Sequence, residues 1–557
     1  MSRSGVHVGK RNLEQNRHRM QFDETYDVVV VGGGNAGFSA ATTAVQAGAK
    51  VLLVEKAPEA ESGGNTYFTA GAYRACFAGL EDLLPILFKE DGSKGLPDDL
   101  VKRIEMSPYT KEDFHADIMR VTKGRSDPAL AQVLVDESRD ALQWIADNGG
   151  KWTLSFNRQA FEVSGKFRFW GGMVLAFLKG GKGLVDWHIG LAKESGVEIR
   201  WSTPAVALMQ DQETGRVHGV EVISKGRRRR IGARGGVVLA SGGFQASPAL
   251  RTQYLGPGWD LAHVRGCKYS TGDGHRMASL AGAQTAGNYS GCHSVAWDAN
   301  SPDHGGDRIM TNQYTKSGYP LGLMLNIDGH RFVDEGIDLR NFTYAIFGKE
   351  ILKQPAGTAF QVWDATGSSW LRKEEYADDV TTNIRADTLA ELAQKLSTRG
   401  LKNQQQFVQT IETYNSAVHH FREENPNHKF DPAKKDGVST QSSKTKLPLA
   451  KSNWALPIEK GPFTAVEVTT GITFTFGGLA IDPKTAAVVA EATRQPIDGL
   501  YCIGELLGGL FWDNYPGGSG LTAGTVFGRI AGRCAAAAAK SAHESSTNGT
   551  PLTDRSV

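Results

Sequence analysis

Tyr26-Asp27-Val28-Val29-Val30-Val31-Gly32-Gly33-Gly34-Asn35-Ala36-Gly37-Phe38, with Lys50-Val51-Leu52-Leu53-Val54-Glu55 shortly after it, decides the fold. The valine run predicts a buried, β-branched strand. A small-residue helix follows from Phe38 to about Ala47, and a second apolar strand from Lys50 to Val54. This is βαβ order with G-x-G-x-x-G at the first turn. Gly32 makes the tight turn, Gly34 lets a pyrophosphate approach the backbone, and Gly37 lets helix and strand pack closely. The helix N-terminus offers free N–H groups and partial positive charge to phosphate. Glu55, ending the second strand, is placed to accept hydrogen bonds from a ribose diol. Strand, helix, second strand and terminal acid together favour dinucleotide binding over a glycine turn without a ligand.

Further glycine loops punctuate the chain. Glu61-Ser62-Gly63-Gly64-Asn65-Thr66 and Thr69-Ala70-Gly71 offer N–H groups and short hydroxyls to phosphate or a polyol. Gly236 to Phe244 reads as another buried strand ending in glycines, and Gly499 to Glu505 as a third. Asn514-Tyr515-Pro516-Gly517-Gly518-Ser519-Gly520-Leu521 precedes a helix from about Thr522 to Ala538, whose N-terminus can face an anion. Residues 80–150 read as mainly helical, and 204–208 and 217–222 as meander strands. Lys225 to Arg230 reads as a solvated hairpin turn rather than an anion-binding patch. The fold class is α/β: a Rossmann-like domain in two segments, 25–290 and 471–540, with an inserted α+β capping domain at 291–470. Residues 1–24 and 541–557 read as disordered tails.

Composition removes several classes of function. With 557 residues, 40% hydrophobic and 22% charged, the chain can bury a large core. Its formal net charge of +2 argues against a general nucleic-acid binder or a polybasic membrane binder. The 66 glycines lie in short runs between apolar segments, as where backbone approaches a ligand. The five cysteines include no C-x-x-C pair, so clusters, c-type haem and zinc ribbons have no support and metal ligands are not expected. Scattered thiols suggest a cytoplasmic setting. No stretch is long and apolar enough for a membrane span, and residues 1–22 lack the apolar core of a secretory signal.

Residues 26–55, the 62–71 loop, Val238 to Phe244, Gly477-Gly478, Gly504-Glu505 and the helix at Thr525 to Ala536 resemble the succinate dehydrogenase/fumarate reductase flavoprotein superfamily. Within it the chain is most similar to the tricarballylate dehydrogenase group. The shared-looking features are Gly33-Gly34-Asn35-Ala36, Gly63-Gly64-Asn65, Cys292 to Ala299, Asp334-Glu335-Gly336 and Phe527 to Gly532. The resemblance implies FAD, held by Gly32, Gly34, Asn35, Ala36, Gly37, Glu55 and Lys56, and by Gly63, Gly64, Asn65, Thr66, Ala70 and Gly71. Val206, Ser241, Gly242, Gly243, Glu505, Ser519 and Leu521 complete the expected set. Relatives with covalent flavin carry a His in the loop matching 62–71. That loop has none here, so noncovalent FAD is expected. The last helix should point its positive end at the flavin.

The resemblance also implies a reaction at a carbon–carbon bond beside a carboxylate or carbonyl. Arg340, shortly after Arg331-Phe332-Val333-Asp334-Glu335, matches the proton-transferring Arg of fumarate reductases, and His293 matches a carboxylate-binding His. Glu335, Tyr344 and Phe474 are further pocket candidates. Two carboxylate ligands of that family are replaced, by Phe474 and Tyr515, and the Arg and Glu of its proton relay find no match in 315–325. Without them a buried dianion would be costly, which argues against plain fumarate or succinate. Tyr515-Pro516-Gly517-Gly518 resembles 3-ketosteroid Δ1-dehydrogenases instead, where a Tyr holds the substrate carbonyl oxygen. Three readings stand: a tricarballylate-like acid dehydrogenase, a ketone dehydrogenase with Tyr515 as enolate stabiliser, and a non-catalytic electron-transfer subunit. The small-molecule substrate is a carboxylate or a ketone, and the electron acceptor stays open.

Overall fold

The computed structural model describes residues 20–302 and 305–547. Strands β1 (Glu24–Val31), β2 (Val51–Val54) and β3 (Glu198–Arg200) lie parallel and adjacent. A meander of β4 (Ala205–Gln210), β5 (Val217–Ser224) and β6 (Arg227–Leu239) returns to place β6 parallel to β1. The resulting order is β4-β5-β6-β1-β2-β3. Strand Pro496–Cys502, from the far end of the chain, joins β6 in parallel at Val237 to Leu239. Val28, Val29, Val30, Leu52 and Leu53 are fully buried, as a sheet covered on both faces requires. The basic run begins at the Lys225-Gly226 turn and continues as the exposed start of β6.

Three helices cover the sites at the strand ends: α1 (Asn35–Gln46), α2 (Gly180–Glu194) and α3 (Ser519–Thr547). α1 and α3 approach unusually closely because Gly524, Gly528 and Gly532, four residues apart, share one face of α3. An added Cβ at these positions would lie 2.8 Å from the Asn35 amide, 2.7 Å from Ala36 O and 2.4 Å from Ala40 O.

A second sheet is built on two long strands, β7 (Thr285–Asp298) and β8 (Phe463–Leu479), paired antiparallel from Thr285↔Leu479 to Asp298↔Val468. β8 also pairs with the strands at 263–264, 359–363 and 384–386. Leu392, Leu396, Phe407 and Ile411, from the helices at 389–397 and 404–424, pack with Leu325 and Phe360 in one buried cluster. The positions 290/291 and 470/471, where the sequence reading divides the chain, fall inside β7 and β8. Residues 80–150 also contribute a strand, Ile104–Met106, that the helical reading omits.

Order extends further at both ends than the tails read from sequence. β1 starts at Glu24 because Glu24 pairs with Ile231 on the long β6, and the Asp23 carboxylate accepts the Arg230 N–H at 2.8 Å. α3 runs past Ser541 to Thr547, where His543 Nε2 lies 2.8 Å from Asp27 Oδ1. The remainder of both tails lies outside the described residues.

Gly528→Ala should lower stability, because overpacking against Ala36 O costs about 1–3 kcal/mol, more than the roughly 0.5–1 kcal/mol of helix propensity regained. Gly190→Ala, in α2 with nothing within 4 Å of the new Cβ, should be neutral or stabilising. Denaturant unfolding of both variants checks the pair.

Candidate active site

One elongated cavity runs from the glycine turn after β1 to the face of the second sheet, lined by residues of both. At its first end Gly32 has φ +112°, and a Cβ there would strike Ala240 O at 2.4 Å. α1 begins at Gly34 with no side-chain cap, so its N-terminus opens on the cavity. Glu55 is buried, accepting the N–H of Gly33 at 2.6 Å and of Ala57 at 2.7 Å. Burial raises its carboxyl, against the pull of those backbone donors. Ser241 Oγ, also on the cavity wall, is buried without a protein partner. A glycine cradle, an uncapped helix end, a buried acid and an orphan hydroxyl fit a dinucleotide cofactor.

Of the expected cofactor residues, Gly32, Gly34, Asn35, Ala36, Glu55, Lys56, Gly64, Asn65, Thr66, Ala70, Ser241, Gly242, Glu505 and Leu521 line the cavity. Gly37, Gly63, Gly71, Val206, Gly243 and Ser519 do not line it. Three of these are glycines because the chain itself comes close: a Cβ at Gly37 would meet Gly32 O, at Gly63 Val185, and at Gly71 Gly180. Lys56 is committed to Asp273 at 2.8 Å and Thr271 at 2.6 Å. Glu505 accepts the Thr475 N–H at 2.9 Å and the Asn65 amide at 3.1 Å, and burial pushes its carboxyl up to about 7.

At the second end the cavity is lined by His293, Arg340, Tyr344, Phe474 and Tyr515, all expected from sequence. Cross-strand pairing of β7 and β8 sets His293 opposite Phe474. The Tyr515 loop docks through Asn514 Nδ2 on Phe342 O at 2.6 Å and Gly517 N on Asn341 O at 3.0 Å, which ties it to the turn carrying Arg340. Tyr515 OH is 3.1 Å from His293 Nδ1 and in a short hydrogen bond with Tyr344 OH. Burial keeps His293 well below its usual range and raises both phenols, so the ring is neutral and the hydroxyls keep their protons. Phe474, Phe476 and Phe511 pack around Tyr515 as an aromatic wall.

Glu335 is a correction. It is fully buried away from the cavity, paired with Arg331 and accepting the Met324 N–H at 2.8 Å. Arg331 lies four residues earlier and takes up the charge within the second sheet's core.

Among the cavity residues that the sequence reading did not name are Arg158, Arg265, Ser317 and Glu375. Among the described residues Arg265 hydrogen-bonds only neutral acceptors, Thr315 at 2.9 Å, Asn312 at 2.9 Å and Thr473 at 3.2 Å. Arg340 donates to Ser317 Oγ at 3.1 Å, Ser317 hydrogen-bonds Glu375, and Glu375 accepts from Arg372 Nη1 at 2.6 Å. Arg372 is partly exposed, so a polar chain runs from the cavity to the surface. Burial lowers Arg158, Arg265 and Arg340 alike, while Arg372, Arg340 and Ser317 help hold Glu375 ionised. The cations that positions 474 and 515 lack are thus supplied by other elements. That removes the electrostatic ground for excluding a dianion.

The family model for the FAD binding domain FAD_binding_2 matches residues 27–521. The chain belongs to this family. It is an FAD-dependent oxidoreductase. A probable fumarate reductase of Shewanella frigidimarina is 29% identical over 513 residues, covering 92% of this chain and 75% of that protein. The open conformation of a flavocytochrome c3 fumarate reductase superposes with TM-score 0.66 at 27% identity, covering 93% of this chain and 79% of the other. A 3-ketosteroid Δ1-dehydrogenase of Sterolibacterium denitrificans shares the fold, with TM-score 0.69 at 20% identity over 92% of this chain and all of the other. Among the described residues no helix is long and apolar enough to cross a membrane.

The raised Glu505 carboxyl has a defined sign. Between its ordinary 4.5 and about 7 the folded protein holds a proton that the unfolded chain releases. Its contribution to stability is therefore present below 4.5 and is lost as pH rises through about 7. The unfolding free energy of the cofactor-free protein, relative to Glu505→Gln, should fall over that window; a flat difference would contradict the assignment.

Proposed function

We propose that this protein adds or removes hydrogen across a carbon–carbon bond next to a carboxylate, on a substrate of the fumarate or tricarballylate kind. The observation that carries the reading is charge. Arg158, Arg265 and Arg340 line the substrate end, and Glu375 is the carboxylate among them, itself shared with Arg372. Cations buried without carboxylate partners are costly unless an anion arrives to pair with them. Guanidinium forks suit the planar carboxylate.

Bound FAD supplies the two-electron chemistry at the substrate carbon. Arg265, His293 and Arg340 hold the acid. Arg340 moves the proton at the neighbouring carbon and exchanges it with solvent through Ser317, Glu375 and Arg372. The aromatic wall and the second sheet exclude water. The absence of a His in 62–71 supports noncovalent FAD, which acid precipitation would release into the supernatant. Five unpaired thiols support a reducing, cytoplasmic compartment.

A second reading rests on the Tyr344–Tyr515–His293 hydrogen bonds, which orient a protonated phenol toward the cavity. That hydroxyl would suit a ketone oxygen. A built substrate end with its own proton route counts against the third reading, a carrier subunit without chemistry.

Anaerobic reoxidation of the dithionite-reduced flavin by unsaturated acids and by cyclic enones separates the first two. Acids should reoxidise it. Arg340→Gln should slow that step by roughly 10²- to 10⁴-fold, whereas Tyr515→Phe should cost under about 10-fold, against about 10²- to 10³-fold for an enolate stabiliser. Reoxidation by enones alone, abolished in Tyr515→Phe, would transfer the assignment to the ketone reading.

A further inference from the structure

The four arginines around Glu375 are not equivalent. Arg372 pairs with Glu375, Arg340 reaches it through Ser317, and Arg265 has three neutral acceptors. Arg158 has no side-chain hydrogen bond or ion pair with any described residue, yet lines the same cavity. Arg265 and Arg340 line the cavity with it, and the charges acting on it include theirs and that of Arg372, with Glu375 opposing them.

Its position is not needed for packing. Arg158 sits on the short helix Phe156–Gln159, which is anchored by other side chains. Phe156 packs edge-on against Phe167 and Phe169, both at 5.1 Å, and Gln159 Nε2 donates to Trp170 O at 3.2 Å. The guanidinium is left facing the cavity from a segment separate from both the glycine cradle and the second sheet. A cation without a direct partner, held among more cations than Glu375 offsets, is a preformed anion receptor, because an arriving negative charge relieves the remaining repulsion.

We propose that Arg158 is a specificity-determining residue that receives a second acidic group of the substrate, distinct from the carboxylate held at Arg265 and Arg340. This rests on the acid reading given above and deepens it: among the acidic groups of such a substrate, Arg158 reads the one away from the reacting bond. It acts on binding and on the choice of substrate, while the proton is handled by Arg340.

Acetate, malonate and citrate are suitable probes, because none has a hydrogen-bearing carbon pair to lose a double bond's worth of hydrogen. Their affinities for oxidised holoenzyme are measured by calorimetry at constant ionic strength, with FAD content and thermal midpoint matched across variants. The wild type should prefer the polyacids to acetate. Arg158→Gln should shrink that preference by roughly 10- to 100-fold, as expected for a lost charge-assisted contact, and Arg158→Lys should restore part of it. Arg340→Gln should weaken all three acids. An unchanged preference in Arg158→Gln, with Arg340→Gln still weakening all three, would overturn the role of Arg158 and leave the acid reading standing. Failure of every acid to bind wild type while a cyclic enone binds would overturn both.

Discussion

The architecture depends on one buried amide. Asn35 Oδ1 accepts from Tyr73 OH at 2.8 Å, lies 2.9 Å from His188 Nε2, and takes a longer contact from Thr525 Oγ1 at 3.2 Å. Its Nδ2 donates to Leu521 O at 2.8 Å, and its backbone N–H to Thr66 Oγ1 at 2.9 Å. Four segments far apart in sequence, around 35, 66–73, 188 and 521–525, therefore meet at the first residue of α1. Burial lowers His188 to about 3, so it stays neutral and can donate through Nε2. His188 Nδ1 is left without a partner, but the bonds made at Asn35 tie the start of α3 beside the glycine turn. The glycine stripe on α3 then lets the two helices close to backbone contact, and the cradle keeps its shape.

The substrate end obeys a different constraint. Phe474 and Phe476 of the second sheet, with Phe511 from the loop before Tyr515, form an apolar wall in the cavity that the arginines also line. Low dielectric strengthens every charge contact an anion makes there and raises the cost of leaving the cations unpaired. In the proposed acid reading, specificity comes from positive charge that the protein leaves without carboxylate partners. The proton route has the same logic: Glu375 stays ionised because arginines flank it, so Ser317 can be held between an acid and a base.

The cofactor half was legible because its chemistry is local. Valines, three glycines and Glu55 fall within one βαβ unit, and each answers to a steric or electrostatic demand visible in the string. The substrate half was only partly legible. His293, Arg340, Tyr344, Phe474 and Tyr515 reach the cavity, but they were found by resemblance, not by spacing. Arg158, Arg265, Ser317 and Glu375 carry no signal in sequence: they come from two one-turn helices, a strand exit and a polar loop, and only the tertiary fold gathers them. Glu335 shows the converse failure, since a motif acid beside Arg331 satisfies its charge locally and never reaches the cavity. The ends were misjudged because polar composition marks Ser541 to Thr547 as solvent-facing but does not reveal that His543 meets Asp27.

Under the acid reading, this cavity selects a negative charge beside the reacting bond. The most direct measurement is kcat/KM for one α,β-unsaturated acid and for its primary amide, which matches it in shape and lacks the charge. The account predicts that the acid is favoured by at least about 100-fold, in line with losing a charge-assisted bidentate contact in a buried site. Equal rates, or preference for the amide, would contradict it.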